Sequence, residues 1–232
     1  MKRLGVIGGL GPLATAYFYE IITGLQQPLN EQSHMEILIY SKPSIPDRTA
    51  YILNRKCPDP SLPIIEAGKI LINAGAEFIA IPCVTAHFFY EKIAKSLNIP
   101  VINVLEETAA ELAAEGVKKA GLLATDGTVK GKFFDRALGK YGIETVRPNR
   151  ADQEILMDMI YDKLKKGQPI STDKFLSLGE PLYSMGAEKI IIGCTELSLI
   201  NRQFDLHNME KLRYTDTLEV LAGAALRESH YD

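Results

Sequence analysis

The chain has 232 residues, of which 46% are hydrophobic and 24% charged, with a net charge of −3. This is ordinary globular usage, long enough for two compact domains or one large one. With no basic run, nothing favours a nucleic acid or an acidic membrane surface as partner. Three cysteines, an odd number, argue against a disulfide framework and fit a reducing cytosol.

In chain order, Lys2-Arg3, an apolar stretch and Ala14-Thr15-Ala16 imitate a signal peptide. Glycines and Pro12 break that apolar core, so the segment reads instead as strand, loop and helix. No run approaches the length of a membrane span, and a cytoplasmic protein is expected. Leu4 to Ile7 is predicted as the first strand, and Leu13 to Gln26 as a helix with Ala14, Phe18, Ile21, Ile22 and Leu25 on one face. Pro12 suits that helix start, where its missing N–H costs nothing. Met35 to Tyr40 is a second strand, followed by a proline-punctuated loop from Lys42 to Thr49 over the cleft.

Helices are predicted over Ile64–Ala74, His87–Leu97 and Glu106–Glu115, with a further strand beginning at Ile99. Later helices span Gln153–Lys166, ending at Gly167 in the favoured C-terminal position, and Lys174–Met185. A final helix over Thr217–Glu228 carries the stripe Leu218, Leu221, Ala222 and Ala225 and is placed to return onto the first domain. Alternating β and α elements predict parallel sheets covered on both faces.

Two stretches repeat. Gly75-Ala76-Glu77 leads through an apolar run to Cys83-Val84-Thr85, and Gly186-Ala187-Glu188 leads through another to Cys194-Thr195-Glu196. Lys118 to Thr128 likewise echoes Lys2 to Pro12. Such self-similarity predicts two copies of one doubly wound α/β unit: residues 1–102 with the C-terminal helix 215–232, and residues 103–214. Each apolar run reads as a buried parallel strand, and open α/β sheets place ligands at the C-terminal ends of their strands. Each half therefore presents one thiol at the mouth of its sheet, across a shared cleft.

Gly9-x-Gly11-x-x-Ala14 formally fits a dinucleotide fingerprint. Against it, Ser41-Lys42 supplies no acidic residue for a ribose, and Pro12 removes an N–H. The other reading is that these glycines bring backbone N–H groups to a carboxylate at a helix N-terminus, with Thr125 and Thr128 serving the second half. Cysteine is a common small buried residue, but two at matching repeat positions point to reactivity. Cys57 lacks that context. Cys83 and His87 share a helical face, yet no further Cys or His cluster completes a zinc site. His87 reads as a neighbour that tunes or orients Cys83, or as a satisfied polar residue. Arg48, in the stiff loop, suits a carboxylate. Spacing alone does not select Lys165 over Lys163 or Lys166.

The motifs Gly5–Thr15, Ile45–Tyr51, Pro82–His87, Ala120–Thr128 and Gly193–Glu196 resemble the aspartate/glutamate racemase family, in family order over nearly the whole chain. The resemblance implies a homodimer of two-domain racemases that need no cofactor or metal, with Cys83 and Cys194 as the catalytic pair. By position, Arg48 and Lys165 match the family's substrate-gripping cations. Leu10, Gly11, Val84, Thr85, Thr125, Gly127, Thr128 and Thr195 fall in its pocket, and His87 and Glu196 stand beside the thiols. Two departures bear on the substrate: Val84 and Ser41-Lys42 stand where the family tends to have Asn, whose amide would both donate and accept.

The expected reaction is racemisation of an acidic amino acid, aspartate before glutamate. A thiolate removes the α-proton and the opposite thiol reprotonates the other face. The rival expectations are an isomerase or decarboxylase of another small diacid, for which one cysteine suffices, and a non-catalytic ligand-binding sensor.

Overall fold

The computed structural model describes residues 1–204 and 213–230; of the expected division into 1–102 with 215–232 and 103–214, residues 205–212, 231 and 232 lie outside the described residues. The elements alternate as the hydrophobic pattern requires. They begin with β1 (Leu4–Gly8), α1 (Pro12–Leu25), β2 (Ile37–Ser41), α2 (Arg48–Leu53), α3 (Ser61–Asn73), β3 (Phe78–Ala80), α4 (Tyr90–Leu97) and α5 (Val104–Ala114). After these come β4 (Lys119–Leu123), α6 (Asp126–Gly131), α7 (Phe133–Gly139), β5 (Glu144–Val146), α8 (Arg150–Asp158), α9 (Thr172–Ser184), β6 (Lys189–Ile192), α10 (Ser198–Phe204), β7 (Tyr214–Asp216) and α11 (Thr217–Ser229).

The strands form two parallel sheets, ordered β2-β1-β3 and β5-β4-β6-β7. In both, the first strand of the unit lies between the second and third, so the repeat in the sequence is a repeat in topology. The Gly-Ala-Glu turns explain part of it. Gly75 and Gly186 both adopt positive φ, 100° and 90°, a conformation glycine enters without a Cβ penalty. The glutamate that follows then ties the incoming strand to its neighbour. Glu77 accepts from the Arg3 N–H at 2.7 Å, and Glu188 accepts from the Lys118 and Lys119 N–H groups at 3.0 Å.

Three expectations need correction. The strand expected from Ile99 is a single bridge between Val101 and Ile79. Pro100 has no N–H to extend a ladder, and Asn103 already caps α5 through Leu105 N. The helix expected from His87 starts as a 3-10 turn over Val84–Phe89 before α4. The helix expected over Gln153–Lys166 divides into α8, a π turn over Met159–Lys163 and a 3-10 turn over Leu164–Lys166, ending at left-handed Gly167.

One apolar cluster joins a face of the first sheet (Leu4, Val6, Phe78) through Phe18 of α1, Leu112 of α5 and Leu221 of α11 to Leu122 and Ile191 of the second. The C-terminal helix packs against both α1 and α5. A smaller cluster, with Ile7, Ile64, Ile79 and Ile93, fills the other face of the first sheet and contains Cys83. Among the described residues, no helix is long and apolar enough to cross a membrane.

Candidate active site

Both thiols stand just past the C-terminal end of a strand, Cys83 after β3 and Cys194 after β6, where the chain turns into a helical segment. Cys83 precedes the 3-10 turn Val84–Phe89 in extended conformation. Cys194 follows β6 and opens a turn in which its carbonyl accepts from Leu197 N at 2.9 Å. That turn is fastened beneath by buried side chains: Ser198 donates to Asp216 at 2.6 Å and Thr217 to the Ile192 carbonyl at 2.8 Å. Both cysteines are buried and free.

Their surroundings carry opposite charge. The positive charge of Arg48 interacts with Cys83, and the Thr85 hydroxyl lies 3.7 Å from the Cys83 sulfur. Cys194 donates its S–H to Glu196 Oε2 at 3.1 Å, and the Thr195 hydroxyl approaches the same oxygen at 3.4 Å. Burial first, and then the Glu196 carboxylate, push the Cys194 thiol well above its ordinary pKa.

Arg48 and Glu196 line one cleft of about 400 Å³ together with Leu10, Gly11, Asp47, Leu164 and Lys165. The start of α1 forms one wall. Gly9 has a φ of 85°, its N–H is taken by the Thr15 hydroxyl at 2.9 Å, and that hydroxyl donates onward to the Gly11 carbonyl. The wall is therefore preformed, with the positive end of a 14-residue helix directed at the cleft.

Arg48 is the first residue of α2 and not part of the loop expected from the two prolines; Asp47 caps that helix through Ala50 N at 2.7 Å. The guanidinium pins the loops around it, donating to the carbonyls of Leu10 (2.6 Å), Pro46 (3.2 Å) and Ile45 (3.5 Å). Its Nε is buried with no partner among the described residues. Burial would lower Arg48, but Cys83, Asp47 and Glu196 outweigh it and hold the cation firmly charged.

Lys165 is singled out over Lys163 and Lys166. It pairs with Asp47 at 3.3 Å and lies 3.6 Å over the Tyr161 ring, whereas Lys166 bonds Asp162 on the surface. Burial would lower Lys165, but Glu196, Tyr161, Asp47 and Cys194 raise it.

The remaining expected residues lie elsewhere. Thr125, Gly127 and Thr128 belong to a seam between α6 and α2: the Thr49 hydroxyl donates to Thr125 at 3.3 Å, Thr125 and Thr128 share a 3.3 Å contact, and Gly127 packs on Thr49. Val84 is buried in the larger core. His87 places Nδ1 3.0 Å from the Cys83 carbonyl and Nε2 3.3 Å from the Ile102 carbonyl. A neutral ring carries a single N–H, so it donates to one of these two carbonyls and only packs against the other. Burial lowers its pKa and keeps it neutral.

The pattern that defines Asp/Glu/Hydantoin racemases matches residues 7–225. The chain belongs to that family. It is 29% identical over 206 residues to the broad specificity amino-acid racemase RacX of Bacillus subtilis, covering 85% of this chain and 86% of that one. Among solved structures, the aspartate racemase of Picrophilus torridus superposes with a TM-score of 0.80 at 28% identity, covering 99% of this chain and 94% of that chain. An aspartate racemase homologue from Pyrococcus horikoshii gives 0.78 at 27% identity over the full length of both.

Asp47, which lines this family member's cleft, and Tyr161, which bonds it, escape a reading of the sequence alone. Asp47 has a local signal, since an Asp just before a helix is an N-cap candidate. Tyr161 has another, because it precedes Lys165 by one helical turn. Neither signal says that the two side chains meet.

Proposed function

We propose that this chain is a racemase of an acidic amino acid, aspartate first and glutamate second, working through Cys83 and Cys194 without a bound cofactor. Family membership supports the isomerase class. The observation that carries the assignment of the site is the matched pair of strand ends. Two like-ordered parallel sheets each present a buried thiol to a charged side chain of one cleft, Cys83 to Arg48 and Cys194 to Glu196.

The step balances within the protein. The thiolate of one cysteine takes the proton from Cα, and the electron pair left behind spreads onto the α-carboxylate. The S–H of the other cysteine gives its proton to the opposite face and becomes the thiolate. Reversal runs the same path, because both groups are of one kind. The start of α1 suits the α-carboxylate, where fixed dipoles oppose the growing charge. Arg48 holds both that wall and the Cys83 side of the cleft. Lys165 is the cation for a side-chain carboxylate, which would displace Asp47 from it.

One observation favours a wider substrate range. Both cations already have internal partners, and Leu10, Leu13, Ile45, Leu164 and Leu199 give the cleft an apolar lining. A neutral amino acid would leave the Asp47–Lys165 pair intact. Circular dichroism over a panel of single-enantiomer amino acids tests both readings. Loss of signal with aspartate but not alanine supports the acidic one, equal rates support the wider one, and no racemisation of any member rejects both.

The division into two half-domains, 1–102 with 215–232 and 103–214, a homodimeric assembly and a cytosolic location belong to the same proposal. The duplicated sheet order supports the first, and the family resemblance supports the others. Sedimentation equilibrium checks the dimer.

A further inference from the structure

Glu196 has chemistry that the two-thiol reaction leaves unused. Its side chain is 5% exposed. Oε2 is occupied by Cys194 and Thr195, but Oε1 is buried and has no partner among the described residues. That oxygen lies 3.1 Å from the point a Cβ on Gly11 would occupy, and Gly11 and Glu196 line the same cleft. A carboxylate oxygen shut from water with no donor is costly to keep.

Among the described residues, no cation bonds it. Lys165 bonds Asp47, and Arg48 bonds three carbonyls, although both feel the charge of Glu196. The vacant acceptor calls for a small cation carrying N–H donors.

We propose that Glu196 bridges catalyst and substrate, with Oε2 holding the S–H of Cys194 while Oε1 receives the α-ammonium group of the amino acid. This rests on the racemase reading, which supplies the ammonium. The ammonium nitrogen is one bond from Cα, so a single carboxylate sets the approach of the reacting carbon to the Cys194 sulfur. It also couples binding to acidity. In the empty cleft the carboxylate opposes ionisation of Cys194, and an ammonium on Oε1 offsets that charge as the thiol gives up its proton. Among the described residues, Lys165, Arg48, Asp47, Tyr161 and Cys83 are the other charged or titratable groups around this point.

The test is Glu196→Gln, which keeps the shape and an acceptor for the S–H but removes the charge. L-Aspartate and succinate, the same diacid without the ammonium, are titrated calorimetrically into wild type and variant. The expected result is an affinity loss of about tenfold or more for aspartate, the size of a charge-assisted hydrogen bond, with succinate little changed. In parallel, iodoacetamide labelling of Cys194, followed by peptide mass, should move to lower pH in the variant. Glu196→Asp, with the charge restored one methylene short, should recover part of the discrimination, and matched thermal unfolding shows that the fold is kept.

Equal losses for both ligands, or an unchanged Cys194 labelling profile, overturn the proposal. Failure of the racemase reading looks different: wild type then racemises nothing, while the labelling of Cys194 still decides whether Glu196 governs it.

Discussion

The phenol of Tyr161 reaches Asp47 across 114 positions of sequence, 3.1 and 3.2 Å from its two carboxylate oxygens. Lys165 joins them, so the π turn of the second half is fastened to the N-terminus of α2 in the first, beside the cleft. A π turn places side chains that an unbroken α-helix would turn away, and such turns collect at functional positions. Burial pushes the Tyr161 hydroxyl up to about 12, so it remains a donor throughout the neutral range.

Tyr161→Phe should therefore loosen this fastening without emptying the core. A hydrogen bond to a charged group contributes about 1.5–3 kcal/mol, and the half-buried setting argues for the lower end. Urea denaturation should show that loss, and KM should rise as the mouth of the cleft loosens. Unchanged stability and KM together would make the contact incidental.

Acid should weaken the protein in two stages. Burial holds the pKa of His87 below its ordinary 6.5, so its contribution is complete above pH 6.5 and declines below it, as the unfolded chain takes up the proton first. Burial acts to raise Asp47, but Ala50 N–H, Lys165 and Arg48 outweigh it and leave the carboxyl below its ordinary 3.8. Its contribution is complete above that value and lost as pH falls through the folded pKa. Thermal unfolding against pH should show both declines, and His87→Gln should flatten only the first.

The thiol pair makes an isotopic prediction. Starting from one enantiomer in D₂O, product should gain deuterium while unreacted substrate gains little early on. Cys83→Ser and Cys194→Ser should each abolish interconversion, because a serine hydroxyl is too weak an acid to replace the thiol. Cys57→Ser should change little. Wild-type rates in Cys194→Ser would leave Cys83 acting without a second thiol.

At the seam, Gly127→Ala would put a Cβ 2.9 Å from both the Cα and the hydroxyl of Thr49. Overpacking of this kind costs about 1–3 kcal/mol, and here it would also push α6 from α2. Gly139→Ala meets nothing within 4 Å and should be neutral or mildly stabilising. Paired melting curves of the two variants separate the effect of the seam from that of glycine replacement.

Much of the fold is legible in the sequence because its signals are local. Apolar runs after Gly75 and Gly186 mark buried strands, and the repeat marks two sheets. The same reading singles out Arg48 and Lys165, and both line the cleft; that the Arg48 guanidinium also braces the wall through three carbonyls is something no spacing rule anticipates. Thr125 and Thr128 read as ligand hydroxyls by analogy with the first half; their contact with each other and that of Thr125 with Thr49 join α6 to α2, which no local pattern announces. Asp47 and Tyr161 were hidden because their contact joins distant parts of the chain. The π turn depends on tertiary packing that propensity does not encode.

The apolar layer through Phe18, Leu112 and Leu221 ties both sheets to one interior. Neither half can lose its fold and leave the other with a covered face, since each would expose a common set of side chains. The expectation is one cooperative transition, with coincident circular dichroism and fluorescence midpoints and equal calorimetric and van't Hoff enthalpies. The repeat visible in two matching sheets would thus be invisible to the calorimeter, which would register a single melting body.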